Sequence, residues 1–150
     1  MMKSTLQPGL THTRTITVDK PRTIDFMGED LRVYATPEMV RDMEQTSRLL
    51  LLPHLDEGED SVGTRLEIDH LGPALLGQSI ALGAKLVALE GRKATFEVEA
   101  RDDAGAVGRG RHVRFVVVKE KSRERLAAKR AALDAASKPG PSSAPKLTPT

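Results

Sequence analysis

Three residues of this chain have side chains suited to hydrolytic chemistry: Thr36, Glu44 and His70. The first two lie in VYATPEMVRDMEQTSRLL and the third in SVGTRLEIDHLGPALLG. The first stretch has the period of an amphipathic helix and the second that of a strand. On a helix, Glu44 falls at the edge of an apolar side centred on Met43, Ser47 and Leu50, between Val40 and Leu51. A carboxylate partly withdrawn from water is a better base or nucleophile. The plainer alternative is a rim glutamate facing solvent or an arginine, and periodicity alone favours it. His70 continues the alternation Val62, Thr64, Leu66, Ile68, while Arg65, Glu67 and Asp69 point the other way. Alone it reads as a satisfied core or strand-end histidine. If the strand lies against the helix, however, Glu44 and His70 both face the helix–sheet boundary, and imidazole is the usual general acid/base near neutral pH. Thr36-Pro37-Glu38 is a helix start with Thr36 as N-cap. A capping oxygen accepts from a backbone N–H and leaves its own O–H free to donate.

The elements that must position these groups follow from the punctuation. Residues 11–18 alternate and are β-rich, so they read as a strand. The helix runs from Thr36 to Pro53, and LDEGEDS is a polar turn. Strands are expected over 62–71, 77–89, 93–101 and 106–118, joined at EGR and DDAG, as a meander of long antiparallel strands. Residues 119–137 are charged and helix-prone. Residues 138–150 (KPGPSSAPKLTPT) have the composition of a disordered tail. The expected division is thus a domain over 1–118, a charged helix over 119–137 and a tail over 138–150. One helix cannot cover both faces of a five-stranded sheet. The class is therefore α+β, with an antiparallel sheet wrapped around one long central helix plus a C-terminal helical extension. This is the hotdog arrangement, with a second subunit covering what the helix leaves bare.

Composition removes several alternatives. The chain has 150 residues and no cysteine, so disulfides and thiolate chemistry are excluded. The net charge of +2 conceals an asymmetry. Residues 1–118 carry 15 Lys/Arg against 18 Asp/Glu, net −3, and residues 119–150 carry 8 against 3, net +5. The basic character therefore belongs to the end of the chain. With one Tyr, three Phe and no Trp, an aromatic platform for nucleic acid is not expected. No apolar run approaches the length of a membrane span, and the N-terminal stretch has no apolar signal region. The reading is a cytoplasmic protein with neither a nucleic-acid nor a membrane partner. His12, His54, His70 and His112 lack metal-ligand spacing, so no metal is expected. Arg109 and Arg111 share one face of the last strand and Arg114 takes the other. Glutamate pairing is their bland reading and contact with a phosphorylated group the sharper one.

From about Val33 to Val118 the chain resembles the fluoroacetyl-CoA thioesterase family of single-hotdog proteins. The match lies in the A-T before the helix, the M-E within it and the L-x-x-G-E-x-S-x-G-T turn. The strand histidine, a glycine near the next strand and the L-x-x-x-E-G-R-x-x-x-F-x-V-x-A-x-D hairpin complete it. The resemblance implies Thr36, Glu44 and His70 as catalytic residues, and Gly63, Gly77 and Arg114 as contacts to the thioester or CoA. It implies a homodimer that hydrolyses an acyl-CoA to free acid and CoA, with no cofactor beyond the CoA of the substrate. The fluoroacetyl-specific member carries a phenylalanine-rich apolar lid before the threonine. This chain has FMGEDLRVYAT there, so a different small or medium acyl group is expected. The alternatives are an acyl-CoA-binding module without turnover and a hotdog hydratase or dehydratase. The latter would need an Asp/His pair on a helix that is not found. A third alternative places function in the basic tail, binding an acidic partner.

Overall fold

The computed structural model describes residues 2–137. Expectations for residues 138–150 lie outside the described residues. The chain divides after Val118 into two compact units.

The first unit is a five-stranded antiparallel sheet and one long helix. The strands are β1 (Thr11–Thr17), β2 (Glu59–His70), β3 (Ser79–Glu90), β4 (Lys93–Asp102) and β5 (Gly105–Val118), and the helix α1 spans Thr36–Leu51. The order across the sheet is β1-β3-β4-β5-β2. Only β3, β4 and β5 form the expected meander; β2 crosses to the far edge and pairs with β5. The EGR and DDAG turns are hairpin turns, so they hold their strands adjacent. The connection after His70 is longer and under no such constraint.

The alternation read in the sequence is the alternation of burial. Ile80, Leu82, Ala84 and Leu86 of β3 and Ala94, Phe96, Val98 and Ala100 of β4 turn inward. They meet Met39, Met43, Leu50 and Leu51 of α1 in one core. Each large side chain so buried contributes about 1.5–3 kcal/mol of transfer free energy. A 3-10 turn with Pro53 follows α1 directly and stops it, since proline cannot donate to the helix ladder.

Two corrections concern the site. The N-cap of α1 is Ala35, and Thr36 is already the first helical residue. In β2 the register slips between Gly63 and Arg65, where Thr64 forms a bulge. The extra residue inverts the alternation upstream. Gly63, not Thr64, thus shares the helix-facing side with Leu66, Ile68 and His70.

The second unit, α2 (Lys119–Ala136), is a charged helix in which no residue is buried. No helix among the described residues is long and apolar enough to cross a membrane.

Candidate active site

Glu44 projects from α1 towards the bulge of β2. Its Oε2 lies 3.4 Å from Arg114 Nη1 and 3.9 Å from His112 Nε2. Gly63 makes the approach possible. A Cβ built there would stand 2.5 Å from Glu44 Oε2 and 3.0 Å from His112 Cε1, so any side chain displaces the carboxylate. In register Gly63 faces Arg114 and Leu66 faces His112, so β5 supplies the floor beneath Glu44.

Arg114 is almost wholly buried, and its donors are assigned. Nε donates to Ser61 Oγ at 2.7 Å and Nη2 to the Ser61 carbonyl at 2.8 Å. Nη1 meets His112 Nε2 at 3.2 Å and Glu44 at 3.4 Å. Burial pulls the Arg114 pKa down, against the attraction of Glu44. Guanidinium nevertheless stays charged in proteins. His112 is fully buried and stacked near Phe96, at 6.2 Å between ring centroids. Burial, with Arg114 adding to it, holds its imidazole below the ordinary value, opposed by a hydrogen bond to the Arg65 backbone and by Glu44.

Thr36 and His70 form a second group. Thr36 Oγ1 and His70 Nδ1 are 2.7 Å apart, so the hydroxyl expected to cap the helix is bonded to the imidazole instead. His70 packs edge-on to Tyr34, and burial lowers its pKa, opposed by the Gly72 backbone. Its buried Nε2 finds no hydrogen-bond partner among the described residues.

The two groups are not joined within one chain. Thr36 and Glu44 are eight helical residues apart, about 12 Å along the axis. Gly63 and His70 are about 20 Å apart along β2. The structure brings Thr36 to His70 and brings Glu44 to Gly63 and Arg114, but it does not bring Glu44 to His70. Gly77 touches neither group. Its φ of 93° and its N–H bond to the Val18 carbonyl account for the glycine as a turn before β3. Arg109 and Arg111 are on the outer face, and Arg111 pairs with Glu97 at 3.7 Å.

Sequence reasoning passed over His112 and Ser61. A signal was present: Gly108, Gly110, His112, Arg114 and Val116 alternate on the inward face of β5. Two polar residues on a buried face need partners.

The sheet and the central helix make a hotdog fold, and the fold holds a carboxylate over a strand glycine. A family model described as fluoroacetyl-CoA-specific thioesterase matches residues 18–120, and the chain belongs to that family. It is 35% identical over 89 residues to the fluoroacetyl-CoA thioesterase of Streptantibioticus cattleyicolor, covering 59% of this chain and 64% of that protein. The chain thus matches somewhat less than two thirds of that relative's length. Among solved structures it is similar to a variant of the fluoroacetyl-CoA-specific thioesterase FlK in complex with fluoroacetate and CoA. There the identity is 29% and the TM-score 0.72, over 77% of this chain and 98% of the other. A thioesterase superfamily member from Thermus thermophilus superposes with a TM-score of 0.77 at 30% identity, over 86% and 96%.

Proposed function

We propose that the protein hydrolyses the thioester of a small or medium acyl-CoA, releasing free acid and CoA. The observation that carries this reading is Glu44 resting on Gly63, with Oε2 turned to Arg114, in a chain of this family. In the proposed reaction Glu44 attacks the thioester carbonyl or takes a proton from the attacking water. The C–S bond then breaks, and His70 delivers a proton to the departing CoA thiolate. Where Glu44 is the nucleophile, water next hydrolyses the acyl–Glu44 anhydride, releasing the acid and restoring the carboxylate. Thr36 fixes the His70 ring through Nδ1, leaving Nε2 for that transfer. Arg114 stabilises the negative charge on Glu44 and on the carbonyl oxygen as the tetrahedral centre forms. Gly63 and Gly77 are proposed to lie along the thioester and CoA. Water is the only co-reactant proposed, with no metal or added cofactor, in the cytoplasm, and without a nucleic-acid or membrane partner.

The reading requires a homodimer. β2 is an edge strand, with Val62 and Leu66 exposed along it. Two such edges can pair antiparallel about a two-fold axis at Glu67. Leu66 then meets the partner's Ile68, and Arg65 meets the partner's Asp69 with opposite charge. The partner's His70 would then fall opposite the Thr64 bulge, next to Gly63 and so close to Glu44. A complete site thus takes Glu44 from one subunit and the Thr36–His70 pair from the other.

The acyl group is proposed to differ from fluoroacetyl. Where the fluoroacetyl-specific relative has its lid, this chain leaves Phe26 and Met27 exposed and continues into a charged turn, Glu29–Leu31. Arg32 staples that turn through both oxygens of Glu29, at 2.9 Å each. The test is CoA release, followed with a thiol reagent, from short-, medium- and aryl-acyl-CoAs including fluoroacetyl-CoA. Turnover of one or more members supports the reading. Acyl-CoA binding without turnover of any would move the protein to the binding modules.

A further inference from the structure

His112 lies outside the proposed reaction, yet it is a fully buried titratable group in contact with the site. Its tautomer follows from its neighbours. Nδ1 lies 2.9 Å from the carbonyl oxygen of Arg65. A carbonyl can only accept, so Nδ1 carries the ring hydrogen. In the neutral ring Nε2 is then a bare lone pair. The nearest donor is Arg114 Nη1, at 3.2 Å, while Glu44 Oε2 is beyond hydrogen-bond reach at 3.9 Å.

We propose that His112 is a positioning residue for the hydrolysis: its bare Nε2 holds Nη1 of Arg114 against Glu44. With Ser61 taking Nε and Nη2, the guanidinium is fixed from three sides. Arg114 then holds Oε2 of Glu44 and leaves Oε1 to the substrate. A protonated ring would present a second N–H to the guanidinium and push it away. Burial and the Arg114 charge both oppose that protonation. Phe96 lies roughly parallel to the ring at 6.2 Å between centroids, and the ring is fully buried. A leucine at this position would preserve the packing and remove the acceptor. A glutamine would offer Oε1 in place of Nε2.

The inference rests on Glu44 being the reacting carboxylate, and its test separates the two. In the full-length chain, His112→Leu should lower kcat by about 10- to 100-fold with KM little changed, the loss expected from ångström-scale misplacement. His112→Gln should recover most of that loss. Nitrogen-15 NMR of the wild-type ring should show the Nδ1–H tautomer, and the Arg114 Nη1 proton signals should be slow to exchange in wild type and His112→Gln and averaged in His112→Leu. Wild-type kcat in His112→Leu, equal losses in both variants, or an Nε2–H tautomer in the wild type would each overturn the proposal. If Glu44→Gln itself kept wild-type turnover, the reading of the site would fall as well. Loss in Glu44→Gln with none in His112→Leu sinks the His112 role alone.

Discussion

Asp42 and Glu44 stand two residues apart on the same helix and live in opposite environments. Asp42 has a side chain 8% exposed, whereas that of Glu44 is 36% exposed. Asp42 takes Arg22 through both oxygens, at 2.9 and 3.2 Å, accepts a short hydrogen bond from Tyr34 and faces Arg14 at 3.6 Å. Arg14 also reaches the Asp42 carbonyl and Thr46, tying β1 to the helix. The Arg22 pKa is raised by Asp42, and that of Tyr34 chiefly by burial and then by Asp42. Among the described residues Glu44 has only the long contact to Arg114 and the more distant His112. A carboxylate that holds elements together is saturated, while one kept for chemistry retains a free oxygen beside a cation. The difference arises one helical step to either side of the apolar centre. Asp42 turns towards β1 and the Arg22 turn, Glu44 towards the bulge of β2.

The sharpest way to break the contrast is at Asp42. Asp42→Ala strands two arginines and a phenol in a buried site and should cost about 3–5 kcal/mol of stability, read by chemical denaturation. Activity per folded molecule should stay near wild type below the transition. Gly63→Ala attacks the other side. The new methyl group takes the space of Glu44 Oε2, so kcat should fall by about 10- to 100-fold while the melting temperature moves little. The smallest effect expected is one of pH. Burial holds the pKa values of His70 and His112 below 6.5, so beneath that pH the unfolded chain binds protons the folded chain refuses. Their contribution to stability is complete above about pH 6.5 and declines as pH falls through the window beneath. Denaturation of His112→Gln between pH 5 and 7 should show a shallower decline than wild type. An identical slope would place the proton uptake elsewhere.

Much of this was legible in the residues. Period-two alternation located the four long strands to within two residues at nearly every end. Proline and the polar turn ended the helix. The hidden features depend on pairing between distant segments. The Thr64 bulge is a property of the β2–β5 register, and without it Thr64 would take the inward place that belongs to Gly63. Thr36 has the composition of an N-cap, but His70 claims its hydroxyl from 34 residues away. Asp42 and Thr46 are polar at helical positions that read as solvent-facing or boundary sites, and only Arg14 and Arg22 reveal why they are buried. Separating the Thr36–His70 pair from Glu44 needs the length of α1 and the run of β2 together, which composition does not contain.

The most direct measurement is steady-state CoA release by Glu44→Gln, on the acyl-CoA that the wild-type protein turns over best, with the melting temperature taken alongside. The exchange keeps the shape of the side chain and removes its charge. The account predicts a fall in kcat of about 100-fold or more with an unchanged melting temperature, because Glu44 is held for reaction and not for the fold. Wild-type turnover in Glu44→Gln would contradict it and leave the carboxylate above Gly63 without a part in the chemistry.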